Sequence, residues 1–176
     1  MEYQREVERK FVILGSSYDE VYKFLSSTFY VNLGTTISYD LYWGATGVDF
    51  IRLRENSQEL TVKVTDKQTI IDRIEENAKV SKEDMKAMER AMTLVHGHPM
   101  RLTKKFSVFT GDLFGTEDRV IYCIYEVQDD PKKRLFFEVE APDIESVDEA
   151  LSALKPIFEL QPQTKSLYQI FAGVLP

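Results

Sequence analysis

Glu6-Val7-Glu8-Arg9-Lys10-Phe11-Val12-Ile13 is the stretch from which the fold can be argued. Its charged residues Glu6, Glu8 and Lys10 recur at every second position, and an extended chain points such residues to one side. Two neighbouring carboxylates repel each other, and a divalent cation, which takes hard oxygen ligands, is one reason to hold them together. The Lys10 ammonium, one pleat further on, suits a polyanion bound beside that cation. By itself the stretch reads first as a solvated strand face. What decides is whether the other strands repeat its pattern.

They do. A strand over 48–54 places Arg52 and Arg54 on one face and Ile51 and Leu53 on the other. Its hairpin partner, Glu59–Thr65, sets Thr61, Lys63 and Thr65 against Leu60, Val62 and Val64. A strand over 69–76 carries Arg73 and Glu75 together, and one over 100–110 carries Lys104. In the strand Leu135–Ala141, Glu138 and Glu140 alternate with Phe137, Val139 and Ala141. Like charges in adjacent pairs are costly unless a bound counter-charge offsets them. A closed antiparallel barrel would turn these charged faces inward, with helices on the apolar outside. Its interior would combine carboxylates for a divalent metal with Arg forks and Lys ammonium groups that match phosphate oxygens.

Three helices are expected. Ser17-Tyr18-Asp19-Glu20 is a capping box opening a helix to about Ser27, with Tyr18, Val21, Tyr22 and Leu25 as its apolar stripe. Ser81 opens a second, striped by Met85, Met88, Met92 and Val95, a core face rather than a groove. Ser146 begins a third, striped by Val147, Ala150, Leu151 and Leu154. Strands are also expected over 35–43, with Asp40 and Tyr42 on one face, and over 120–127. His96-Gly97-His98-Pro99 marks a turn, not a metal site.

The 176 residues suit one domain spanning 1–176. A hydrophobic fraction of 43% and an aromatic fraction of 12% are those of a globular chain. The net charge of -7 argues against a general binder of nucleic acid or anionic membrane. Cys123 is the only cysteine and lies in the apolar run Val120-Ile121-Tyr122-Cys123-Ile124, as a buried inert thiol would. No stretch approaches ~18 consecutive apolar residues, and the N-terminus lacks an apolar signal core. A cytoplasmic protein is expected, and a homodimer would be compatible with it.

The charged motifs carry a family resemblance. Glu6-Val7-Glu8-Arg9-Lys10-Phe11 resembles the ExExK opening of the CYTH, or triphosphate tunnel metalloenzyme, superfamily. Ile51-Arg52-Leu53-Arg54 resembles its LRxR strand, Leu60-Thr61-Val62-Lys63 its LTxK strand, Arg73-Ile74-Glu75 its RxE strand, and Phe137-Glu138-Val139-Glu140 its VExE strand. The resemblance implies an α+β fold built on an eight-stranded antiparallel β-barrel, a triphosphate tunnel with flanking helices. It also implies one or two Mg2+ or Mn2+ ions held by Glu6, Glu8, Glu138 and Glu140. Lys10, Arg52, Arg54, Lys63, Arg73 and Lys104 would hold phosphate oxygens, and Glu75 would orient a basic residue. The implied catalytic set is Glu6, Glu8, Lys10, Arg54 and Glu75. The implied activity is metal-dependent hydrolysis of tripolyphosphate, thiamine triphosphate or a nucleoside triphosphate. The alternatives are a class IV adenylyl cyclase making cyclic AMP from ATP and a non-catalytic nucleotide-binding protein.

Three positions depart from the family's pattern. Phe106, after Lys104-Lys105, stands where an Arg is expected. Tyr125 falls where an acidic residue is expected, and Glu126 substitutes for it only with a one-residue shift. Asp40-Leu41-Tyr42-Trp43-Gly44 is similar to a DxYYD segment but ends in Gly.

Overall fold

The protein is described by a computed structural model over residues 4–28, 31–65, 72–112 and 119–172. The elements run β1 (Gln4–Leu14), α1 (Tyr18–Ser27), β2 (Val31–Trp43), β3 (Phe50–Arg54), β4 (Glu59–Thr65), β5 (Asp72–Lys79) and α2 (Lys82–His96). They continue with β6 (Met100–Asp112), β7 (Arg119–Val127), β8 (Leu135–Ala141), α3 (Ile144–Leu154), β9 (Glu159–Pro162) and α4 (Leu167–Phe171). Among the described residues this is an α+β chain with an antiparallel sheet of nine strands, in the order β5-β4-β3-β2-β6-β7-β8-β1-β9. It divides into two compact units, one formed by Met1–Arg5, Ser38–Lys104 and Lys165–Pro176, the other by Glu6–Ile37 and Lys105–Thr164.

In the first unit, β3 lies between β2 and β4, with Asp40↔Arg54 and Tyr42↔Arg52 on one side and Arg52↔Thr61 and Arg54↔Glu59 on the other. β4 continues the ladder into β5 through Thr61↔Asn77 and Lys63↔Glu75. The β3–β4 turn takes four residues, and Gln58 closes it with φ 52, a left-handed conformation that costs a non-glycine residue little when it occurs singly in a turn. Alternation then sends Leu41, Trp43, Ile51 and Leu53 to the opposite face, where they form a core with Val80 and Met85. Helix α2 lies over that core. Its cap is Ser81, whose hydroxyl accepts from the Asp84 N–H as the sequence suggests. Met88 and Met92 pack against the core, but Val95 is 75% exposed and Leu94 88%. The expected stripe is therefore one turn too long.

In the second unit, β1 is flanked by β8, with Glu8↔Glu140 and Lys10↔Glu138 in register, and by β9, with Phe11↔Pro162 through Leu14↔Glu159. Alternate residues of β8, Phe137, Val139 and Ala141, are buried, and α3 packs on β8 and β7. Helix α1 has both halves of its capping box, Ser17 accepting from the Glu20 N–H and Glu20 from the Ser17 N–H, and buries Tyr18, Val21 and Leu25. Helix α3 starts two residues earlier than expected because Asp143, not Ser146, is its cap and accepts from the Ser146 N–H.

The strand β9 is one more than the expected eight, and its proline occupies the last position of an edge strand, where a missing N–H is tolerated. β2 begins four residues before the expected start. β5 runs on to Lys79 because Glu76, Asn77 and Lys79 keep partners in Val62, Thr61 and Glu59. Residues 66–71, within which that strand was expected to begin, lie outside the described residues.

Candidate functional site

The first unit gathers Arg52, Arg54, Lys63, Glu75 and Lys104 with a carboxylate to which the motifs gave no role, Asp40. Strand alternation places Arg52 and Arg54 on the side of β3 away from the α2 core. Register then sets Asp40 directly opposite Arg54. Asp40 is 1% exposed. Its Oδ1 accepts from Arg54 Nε at 3.0 Å and its Oδ2 from Arg54 Nη2 at 3.3 Å, a two-pronged contact. Lys104 Nζ lies 2.7 Å from Oδ2, and the Tyr42 hydroxyl donates to the same oxygen at 3.2 Å. Burial alone would raise the Asp40 carboxyl, but Lys104 and Arg54 outweigh it and hold the group well below the usual carboxylate range. Burial alone would lower Arg54, and Asp40 more than reverses that, so the guanidinium stays charged.

Next to this triad, Lys63 Nζ meets Glu75 Oε2 at 2.9 Å. Burial would raise Glu75, yet Lys63 and the amide of Asn77 bring it below its ordinary value. Arg52 Nη2 donates to Thr61 Oγ1 at 2.8 Å and stands 3.8 Å from Glu59 and 4.0 Å from Glu75. Its Nε is buried and, among the described residues, has no hydrogen-bond partner. Among the described residues Arg52, Arg54, Lys63 and Lys104 gather here with Asp40 and Glu75, and Glu59 lies between Arg52 and the exposed Lys79. Cationic donors gathered on one face are what an anion with several oxygens can meet. Arg73 sits opposite Thr65 in the β4–β5 ladder, and its side chain lies outside the described residues.

The second unit gathers Glu8, Lys10, Glu138 and Glu140. Glu8 is 4% exposed and faces Glu140 across the β1–β8 ladder, two carboxylates in direct opposition. Lys10 Nζ lies 2.9 Å from Glu138 Oε1 and 3.7 Å from Glu8 Oε1. Glu138 Oε1 also accepts from the Tyr125 hydroxyl at 2.7 Å. Two carboxylates in register across a ladder, Glu8 buried and Glu140 half-buried, are a donor set that fits a hard divalent cation. Among the described residues no three acidic, histidine or cysteine side chains converge tightly enough to hold one unaided. Such a cation would therefore use one or two carboxylates and complete its shell with water and phosphate oxygens, the usual mode for Mg2+. The Glu6 side chain lies outside the described residues.

The departures now have physical settings. Glu126 does not shift into the acidic position: Cys123↔Glu138 and Tyr125↔Phe136 fix the β7–β8 register, and Glu126 falls on the alternate face. Tyr125 itself reaches Glu138. Gly44 is matched to Tyr168 of α4, because a Cβ at Gly44 would lie 2.5 Å from the Tyr168 hydroxyl oxygen. Sequence reasoning missed Asp40 and Tyr125 as partners of the charged residues. The signals for Asp40 were the DxYYD-like segment it opens and its parity with Tyr42, and both acquire meaning once Arg54 is known to lie opposite.

Searches against protein-family models and against curated proteins find no match. Solved structures do match. The PH1012 protein of Pyrococcus horikoshii OT3 is 14% identical with a TM-score of 0.72, over 93% of this chain and 98% of that one. The PH1819 protein of the same organism is 20% identical with a TM-score of 0.64, over 96% and 98%. A Bacillus halodurans protein described as a "putative adenylate cyclase" is 15% identical with a TM-score of 0.57, over 97% and 99%. At these identities the likeness is one of fold: this chain shares, along nearly its whole length, the fold of these archaeal and bacterial proteins.

Proposed function

We propose that the protein binds a small triphosphate together with Mg2+ or Mn2+ and hydrolyses it at a phosphoanhydride bond. The observation that carries this reading is the gathering of Arg52, Arg54, Lys63 and Lys104 on one face of the first unit, where among the described residues the buried Nε of Arg52 has no hydrogen-bond partner. In this reading Arg52, Arg54, Lys63 and Lys104, with Arg73, hold phosphate oxygens and stabilise charge that develops on them during transfer. Asp40 and Glu75 keep Arg54, Lys104 and Lys63 in fixed orientations, so little reorganisation is needed when the anion arrives. Glu8, Glu138 and Glu140, with Glu6, are the residues that would hold the divalent cation, while Lys10 offsets part of their charge. A cation held there would supply neutralisation of phosphate charge and a bound water of lowered pKa. The closed eight-stranded tunnel of the resembled family belongs to this proposal.

The second reading is a class IV adenylyl cyclase, and the fold likeness to the Bacillus halodurans protein is what favours it. In that case the ribose 3'-hydroxyl takes the place of water as nucleophile. One experiment separates the two. Purified protein is incubated with tripolyphosphate, thiamine triphosphate or ATP in the presence of Mg2+ or Mn2+, and both phosphate and cyclic AMP are measured. Metal-dependent phosphate release is expected; cyclic AMP from ATP would replace the first reading with the second. Neither product and no binding of any of the three would remove both.

A further inference from the structure

We propose that Tyr125 is a positioning residue that fixes the Glu138 carboxylate through Oε1 and so presents Oε2 to a divalent cation. The proposal rests on the metal-dependent reading above and assigns a task to a residue that reading leaves out. The Tyr125 ring is held in place: it is 3% exposed and stacks on Phe136, its register partner, with centroids 5.2 Å apart and planes 12° from parallel. From there its hydroxyl reaches diagonally across the β7–β8 ladder to Glu138 Oε1 at 2.7 Å. Lys10 Nζ approaches the same oxygen at 2.9 Å from the other neighbouring strand. Two donors from two strands thus converge on one carboxylate oxygen. Among the described residues Oε2 has neither a hydrogen bond nor an ion pair.

A carboxylate clamped in this way cannot rotate to exchange its oxygens without breaking both contacts. An acidic side chain at position 125 would add charge to a face that already holds Glu8, Glu138 and Glu140. The phenol instead adds a fixed donor. Groups that orient a metal-binding carboxylate in this manner typically account for about 10–100-fold in metal affinity.

The test is Mn2+ titration of the full chain, with and without tripolyphosphate, followed by calorimetry or by the electron paramagnetic resonance of free Mn2+. Tyr125→Phe keeps the stacked ring and removes one oxygen atom, and its cooperative melting is checked alongside. It is expected to weaken Mn2+ about 10–100-fold. Glu138→Gln and the double variant complete a cycle: because Tyr125 acts through Glu138, removing its hydroxyl should cost nothing further once Glu138 is Gln. Unchanged affinity in Tyr125→Phe, or the same loss in both backgrounds, would overturn this assignment and leave the metal reading standing. Failure of the native chain to bind Mn2+ under either condition would overturn the metal reading and this assignment with it.

Discussion

Asp40 shows how much one buried charge can depend on its partners. It meets Arg54 twice and Lys104 once and has almost no contact with water. Removing one member of a buried ion pair costs about 3–5 kcal/mol, chiefly because the remaining charge is left uncompensated. Asp40→Asn should destabilise the protein by about that much in urea denaturation, and a loss below 1 kcal/mol would show that Arg54 and Lys104 are satisfied without it. The pH dependence follows from the same contacts. Asp40, Glu75 and Asp130 all have pKa values lowered in the folded protein. Groups lowered on folding contribute stability that is fully present above their unfolded values, about 4. That contribution is lost as pH falls through the folded values. Stability should therefore decline progressively below about pH 4, and the decline should be shallower in Asp40→Asn. At the charged faces, Glu8→Gln and Glu140→Gln should each abolish metal-dependent turnover while leaving the melting transition nearly unchanged. Arg54→Ala should lower kcat/KM, and an unchanged value would remove its phosphate role.

Helix α2 illustrates how an element can be right in kind and wrong in extent. Its Ser81 cap and its Met85, Met88 and Met92 stripe follow from spacing alone, and all three methionines meet the core. Val95 obeys the same spacing but is exposed. Periodicity describes which residues share a face of the helix; it carries no information about how far the supporting sheet extends beneath that face. The energetic consequence is testable along one helix. Met85→Ala should cost about 2–5 kcal/mol through lost burial and an unfilled cavity. Val95→Lys should change stability by no more than about 0.5 kcal/mol. Equal costs at the two positions in thermal denaturation would contradict the exposure difference. Helix α3 teaches a related lesson about caps: Ser146 and Asp143 are both competent, and the one preceding the longer hydrogen-bonded run wins.

At the scale of the whole molecule, a chain of net charge -7 carries one face on which Arg52, Arg54, Lys63 and Lys104 gather. Its overall field repels polyanions while that face attracts them, so binding must come from close contact rather than long-range steering. Affinity for tripolyphosphate should fall as NaCl is raised, less steeply than for an exposed basic surface, because buried pairs are screened less. Tripolyphosphate at about 100 times its dissociation constant should raise stability by about 2.7 kcal/mol, seen as an upward shift in Tm. No shift at any concentration would argue against binding. Among the described residues, no helix is long and apolar enough to cross a membrane.

The sequence by itself determined which residues share a strand face. Period-two alternation is a local property of the chain, and it correctly paired Arg52 with Arg54 and Glu138 with Glu140 on their strands. The capping box of α1 and the apolar cores under α1, α2 and α3 were legible for the same reason. Only the tertiary structure decided which charge meets which. Register is set by packing and turn geometry across residues distant in sequence, and a shift of one residue would turn every side chain to the other face. Asp40 therefore became the counter-ion of Arg54 and Lys104, Tyr125 the donor to Glu138, and Glu126 a half-buried residue of the opposite face. Gly44 acquired its meaning from Tyr168, more than a hundred residues away.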